Sequence, residues 1–341
     1  MLRDAGGTLA LVGFFLVAVT FFSFVTRNFG SASNFENLMS GFSFMAILTI
    51  GQSFPILMRG IDLSVGAILA LVGMTVFDLS LMFGWPGWAV LPAALLVGTL
   101  AGLLNGALIV RLRLPPFIAT LATLAAYRGL VYTISGRQLV PGLSTTPIRD
   151  PWIIGLETYY DIGGALGLKH LIKLPWLPLS FIILLVTLLV FRFLLSGTRF
   201  GRDIYAAGGN AEAARLAGIN VDRVTMAAYA TSGFCAGLGA LLLVARLTTS
   251  TEELGKGIEL STIAAAVIGG VSLSGGIGNV TGPVIGAFLL GVILLGLTQA
   301  GISQFVQQIL TGLILLIAIG NDRWQTARRD RARTETLTGA S

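Results

Sequence analysis

Apolar residues run along this chain in blocks of about twenty, parted by short polar or glycine-rich breaks, and such a block is what an α-helix needs to cross the roughly 30 Å hydrocarbon core of a bilayer. Windows of about 19 residues predict ten helices: Leu9–Val25, Gly41–Met58, Leu63–Phe83, Trp88–Val110, Pro116–Ile134, Leu177–Leu195, Val224–Ala245, Ile258–Leu273, Val280–Thr298 and Ile302–Ile319. The eighth is too short to span comfortably and is expected to be tilted, broken or re-entrant. The pattern predicts an all-α integral membrane protein of about ten transmembrane helices, organised as one transmembrane domain over residues 1–341. Leu9–Val25 lacks a small-residue cleavage site and is followed by further apolar runs, so it reads as a span and not as a signal peptide.

Composition agrees. Hydrophobic residues make up 55% of the chain and charged residues 11%, whereas a soluble domain carries about a quarter charged residues. The net charge of +6 comes from basic residues set between the apolar runs, not from a stripe interleaved with aromatics, which argues against nucleic acid as a partner. With the amino terminus inside, the cytoplasmic side receives Arg59, Arg111, Arg113, Arg199, Arg202, Arg215, Arg223, Arg323 and the arginine-rich tail 324–341; the outer side receives the lighter set of Arg27, Arg137, Arg149, Lys169, Lys173, Arg246 and Lys256. Both termini inside requires an even number of crossings, which ten satisfies. Cys235 reads as a small core residue, and His170 has no second ligand nearby, so neither a disulfide nor a metal centre is expected. The outer segment 135–176 is the longest connection, with Trp152, Tyr159, Tyr160 and Trp176 suited to the interface, and reads as an outer cap or as a plain loop.

A six-residue pattern occurs twice. Arg59-Gly-Ile-Asp-Leu-Ser64 and Lys256-Gly-Ile-Glu-Leu-Ser261 share the order basic, Gly, Ile, acidic, Leu, Ser. Each is followed by a glycine-rich turn, Gly84–Gly87 and Gly275–Gly278, and then by a proline near the start of the next run, Pro92 and Pro283. Residues 41–134 and 224–320 are thus expected to form inverted repeats, with the first copy opening a helix from the inner face and the second from the outer face. Asp62 and Glu259 read first as acids at helix starts, where the positive end of the dipole favours a carboxylate. The functional alternative places Asp62, Ser64, Glu259 and Ser261 at broken-helix ends along a translocation pathway, with Asn105 a further candidate and Asp78 and Arg128 weaker ones. For Asn105 a hydrogen bond to a neighbouring helix is expected, and for Arg128 snorkelling to the interface. Gly98, Gly102 and Gly106 are spaced for close helix packing.

The inner segment 196–223 is polar and basic. Asn210 is placed as an N-cap, Ala211–Ala217 are helix formers, and Gly218 is placed to end the helix in the left-handed region. Glu212 and Arg215 suit opposite ends of its dipole. On local sequence alone this reads as an ordinary capped loop helix, with a groove-fitting docking helix as the alternative. No phosphate-binding loop is present: Gly255-Lys256-Gly257 lacks the spacing and the hydroxyl, so this polypeptide is not expected to hydrolyse ATP.

Four segments together resemble the ribose-type permeases of bacterial ABC sugar importers: Gly60-Ile-Asp-Leu-Ser-Val-Gly66, Leu114-Pro-Pro-Phe-Ile-Ala-Thr-Leu121, Gly201-Arg-Asp-Ile-Tyr-Ala-Ala-Gly-Gly-Asn210 through Arg215-Leu-Ala-Gly-Ile-Asn220, and Ala264-Ala-Ala-Val-Ile-Gly-Gly-Val-Ser-Leu273. The resemblance covers nearly the whole chain after the first span. It implies a multi-pass permease of the bacterial inner membrane with both termini cytoplasmic, and import of a monosaccharide or related small polyol by alternating access. It implies cytoplasmic ABC ATPase subunits, a periplasmic sugar-binding protein and a second permease copy, identical or related, as partners, no cofactor, and no enzymatic activity in this chain. Residues 196–223 become the segment coupled to the ATPase, with Gly201, Arg202, Tyr205, Gly208, Gly209, Asn210, Glu212, Ala213, Arg215 and Gly218 as the coupling set and the helix over 210–217 as the docking element. Asn279 departs from the family by standing where a basic residue is common. The rival is an ion-coupled secondary transporter using Asp62 or Glu259; an intramembrane enzyme would need clustered catalytic groups that the chain lacks.

Overall fold

Ser31 opens the helix around which the rest is built, its hydroxyl accepting the Asn34 amide at 3.2 Å. The computed structural model describes residues 2–135, 147–160 and 177–338. In order these form α1 (Leu2–Val25), α2 (Ala32–Leu57), α3 (Val65–Leu81), α4 (Gly87–Arg111), α5 (Pro116–Ile134), the short α6 (Pro151–Ile154), a 3-10 turn over Gly155–Glu157, strands β1 (Tyr159–Tyr160) and β2 (Leu177–Pro178), α7 (Leu179–Gly197), α8 (Arg199–Gly209), α9 (Ala211–Leu216), α10 (Val221–Leu247), α11 (Ile258–Ile268), α12 (Thr281–Gln299) and α13 (Gln304–Thr338). Eight of the described helices are long and apolar enough to cross a membrane, and α3 and α11 are shorter apolar helices. The two strands form one antiparallel pair, the single β feature among the described residues.

Helices α2 and α10 form the centre. From Met45 to Leu57 every residue of α2 is buried, and α10 lies between α2, α3 and α4. The glycines of α4 set how closely α10 approaches: side chains at Gly98, Gly102 or Gly106 would run into the backbone of Gly233 or Met226. The outermost helices, α1 and α13, present Phe14, Leu16, Leu313 and Leu316 outward, the surface a lipid solvent requires.

Hydrogen bonds define two ends of the bundle. At one, Gly276 donates to the Leu57 carbonyl (2.9 Å), Tyr205 donates to the Gly278 carbonyl (2.7 Å), and the Leu273 amide reaches Asp322 of α13 (3.2 Å). At the other, the Gly87 amide donates to Asp150 (2.9 Å) and the Ile148 amide to the Thr248 carbonyl (2.8 Å). The first, called here the near end, holds α8 and α9; Thr8 and Leu9 of α1 lie beside Tyr205 there, and Asp322 of α13 meets the Leu273 amide at the same end.

Several boundaries differ from the hydropathy reading. Helix α2 begins nine residues before Gly41, because the Ser31 cap starts it in polar sequence that a hydropathy window discounts. Helix α11 stops at Ile268 and not Leu273, since Gly270 takes φ +89° and the chain turns there. Helix α13 continues through the arginine-rich tail to Thr338. The α8 helix was not anticipated: Thr198 caps it and Ile204, Ala207 and Gly208 face inward. The expected outer cap is described in part, with Trp152, Tyr159 and Tyr160 exposed; Trp176, Lys169, Lys173, Arg137 and His170 lie outside the described residues.

Candidate functional site

The chain leaves α2 through a tight cap. The Arg59 amide donates to Ile56 (2.9 Å) and Gly60 to Pro55 (2.8 Å), which puts Arg59 at φ +62°, a conformation costly for a side-chain-bearing residue. That conformation aims the guanidinium at the end of α8: Nε donates to the Gly208 carbonyl at 2.7 Å and Nη2 to that of Gly209. Gly208 packs on the Leu57 carbonyl, Gly275 on the Arg59 side chain and Gly276 on the Gly209 backbone, so three segments interlock where a β-carbon on any of these three glycines would not fit. Phe200 of α8 also stacks on Phe54 of α2, centroids 6.3 Å apart.

Three residues past Arg59 the side chains turn inward. Asp62 is fully buried; its Oδ1 accepts from the Ser64 amide (3.0 Å) and hydroxyl (2.6 Å), and its Oδ2 from the Ser232 hydroxyl (2.8 Å). Asn105 of α4 donates to the Ser64 hydroxyl (2.7 Å) and accepts from Tyr127 of α5 (3.2 Å). Ser232 stands about 16 Å along α10 from its start, in a helix of about 40 Å, so the cluster lies inside the bundle. The Ser64 amide, the Ser64 and Ser232 hydroxyls and, through Ser64, the Asn105 amide all donate toward the carboxylate, while the Tyr127 hydroxyl is shared with the Ala101 carbonyl at 2.8 Å. The expectation of an interhelical role for Asn105 holds. Asp62 lies just ahead of its helix: α3 begins at Val65, and the Asp62 carboxylate accepts the amide of Ser64, the N-cap residue, which has no partner within the helix.

Glu259 does stand in the first turn of its helix, α11, which starts after Gly257 at φ +82°. The two short helices begin beside each other: Gly66, in the first turn of α3, has the Gly255 carbonyl and the Glu259 carboxylate as its nearest neighbours. Ser261 is separate from the Asp62 cluster and lines a cavity on another side. Arg128 does not snorkel; it donates to the carbonyls of Glu252 (2.8 Å) and Leu254 (3.0 Å), holding the segment that leads into α11.

The coupling set divides by direction. Asn210 caps α9 as expected, accepting from the amides of Glu212 (3.1 Å) and Ala213 (3.0 Å), and Gly218 takes φ +82° after it. Arg202, Gly209, Asn210, Glu212, Ala213, Arg215 and Gly218 are exposed at the near end, with Leu216 at 87% exposure beside them, whereas Gly201, Tyr205 and Gly208 pack inward and hold the platform. Asn279, the departure from the family pattern, caps α12 by accepting the amides of Thr281 (2.9 Å) and Gly282 (2.8 Å).

At the far end Arg246 joins α10 to Ser40 of α2 and, at 3.4 Å, to Glu157. Burial pushes the Glu157 carboxyl above its usual range, against the opposing pull of Ser180 and Arg246. Sequence reading missed Arg59 as a structural clamp, and with it Ser232 and Tyr127. The available signals were a basic residue placed directly between a helix end and a glycine, and a serine inside an otherwise apolar run.

The family described as "Branched-chain amino acid transport system / permease component" matches residues 34–319. The chain is 34% identical to the ribose import permease protein RbsC of Haemophilus influenzae, over 91% of each chain. It is 33% identical to the xylose transport system permease protein XylH of Escherichia coli, over 92% of this chain and 90% of the relative, and 34% identical to RbsC of Bacillus subtilis, over 94% and 95%. No solved structure matches the chain.

Proposed function

We propose, from the premise that this chain belongs to the branched-chain amino acid transport system permease family, that it is the membrane-spanning permease of an ATP-driven importer for a monosaccharide or related small polyol. ATP hydrolysis belongs to a separate ATPase subunit, and sugar is delivered by a binding protein. The near end is the cytoplasmic face, the membrane is the bacterial inner membrane, and a second permease copy, identical or related, completes the unit. Residues 41–134 and 224–320 act as inverted halves around the paired starts of α3 and α11.

The observation that carries this reading is the exposed, capped α9 on a platform tied into the bundle core. An ATPase that moves α9 also moves Gly208 and Gly209; their carbonyls hold Arg59, and Arg59 is three residues from Asp62, which is bonded to α10 and, through Ser64, to α4. Motion at the surface therefore has a route into the centre made of hydrogen bonds joined by short stretches of backbone. The test uses the permease assembled with its ATPase and binding protein in proteoliposomes, with ribose and xylose as probes. ATP-dependent uptake is expected, together with its loss when Ala213→Trp blocks the exposed face of α9. Uptake by the purified chain alone, driven by a proton or sodium gradient and abolished by Asp62→Asn or Glu259→Gln, would establish the secondary-transporter alternative instead.

A further inference from the structure

Irregular backbone at membrane depth survives only where protein buries it or where it borders a water-filled space. The segment 248–257 between α10 and α11 meets the two conditions on opposite sides. On one side Arg128 holds two of its carbonyls and Gly255 packs on Gly66. On the other it walls a cavity of about 610 Å³ bounded by α2, α10, α11, α12 and α13.

What lines the cavity identifies what fills it. Glu253 and Lys256 both line it, paired at 2.6 Å with 52% and 70% of their side chains exposed, and a groove filled with lipid tails would not hold two such exposed charges. Because the pair is neutral as a unit, the wall offers no net charge to select an ion. Gln304 and Gln308 at the start of α13 are exposed on the same cavity, Ser261 contributes a hydroxyl from α11, and Phe42 supplies a ring. Amides and hydroxyls that both donate and accept, set among apolar surface, match a neutral polyol, which carries several hydroxyls and C–H faces. The volume lies within the range of about 300 to 1,000 Å³ common for small-molecule sites. The Asp62 cluster offers nothing comparable, since its carboxylate is committed to Ser64 and Ser232.

We propose that this cavity, and not the Asp62 cluster, is the water-filled vestibule through which a neutral sugar enters the bundle, with Ser261 in its floor and Gln308 on its wall. The proposal rests on the transport reading above and locates its path. The test uses the complete importer in which the buried Cys235 is replaced by Ser. In that background Ser261→Cys and Gln308→Cys are each exposed to a charged methanethiosulfonate, which lipid excludes, and to the apolar N-ethylmaleimide. Both cysteines are expected to react with the charged reagent, while Ala240→Cys, fully buried, does not. Modification is expected to lower ribose or xylose uptake by about tenfold or more, roughly 1.4 kcal/mol at the rate-limiting barrier, while ATP hydrolysis stays within about twofold. Reaction with N-ethylmaleimide alone would show a lipid groove, and complete modification with uptake unchanged would show a bystander cavity; either overturns the proposal. Absence of ATP-driven uptake in the cysteine-free parent would instead sink the transport reading, with the accessibility result still able to decide whether the cavity holds water.

Discussion

The two copies of the six-residue pattern end up doing different physical work. In the first, the basic residue itself takes the left-handed conformation and clamps two backbone carbonyls, and the acid and serine precede the helix in a closed cluster. In the second, the glycine takes that conformation, the helix starts four residues earlier in the pattern, and the acid and serine fall within it. Lys256 is left pointing at Glu253 and not at the backbone. Like sequences thus each lead into a short helix, but only in the second copy does a left-handed residue directly open it; in the first that residue closes the preceding helix. The neighbours decide what the polar residues do: α8 and α10 supply partners to the first copy, and a cavity faces the second.

The largest expected effect separates the two basic residues. Arg59→Gly keeps the left-handed backbone while deleting the guanidinium, and charge-assisted hydrogen bonds of this kind contribute about 1.5 to 3 kcal/mol each. Uptake by the assembled importer should fall by about tenfold or more with ATP hydrolysis retained, whereas Lys256→Ala should leave uptake within about twofold. Equal effects would erase the contrast between the copies. Next in size is the pair of acids. Asp62→Asn places an amide donor among the donors of Ser64 and Ser232 and should destabilise the purified protein by about 1 to 3 kcal/mol in thermal unfolding, while Glu259→Gln, half-buried and without a side-chain donor pointed at it, should cost less than about 1 kcal/mol. A reversed order would mean that the closed cluster is not what holds α3 in place.

Packing at the clamp gives a third comparison. Gly208→Ala forces a methyl onto the Leu57 carbonyl and should lower stability by about 1 to 3 kcal/mol, whereas Gly209→Ala meets open space and should be close to neutral. The smallest effect concerns the exposed pair. Lys256 and Tyr132 both donate to the Glu253 carboxylate, at 2.6 and 3.0 Å. Glu253→Gln should lower thermal stability by less than about 1 kcal/mol, and an unchanged unfolding midpoint would show the pair to be energetically silent.

Much of the fold could be read from residue order, and the reasons are local. Lipid demands runs of apolar residues, so the long spans were visible, and a cap such as Asn210 with Gly218 acts within a few residues of itself, so α9 was placed correctly. The start of α2 was missed because a serine cap works in polar sequence, and α8 because its apolar face is only a few residues wide. Arg59 was counted only as a charge that orients the chain, because its partners lie about 150 positions away.

Residue order by itself determined that this protein lives in lipid, that its near-end segment carries a capped helix, and that two short helices open at matching motifs, because hydropathy, capping and glycine geometry operate over a turn or two of chain. Only the tertiary structure decided that Arg59 grips α8, that Asp62 is sealed among serines, and that Ser261 faces open space. Each of those depends on which distant backbone arrives within about 3 Å, a distance set by the packing of all the helices together and written in no single stretch of sequence.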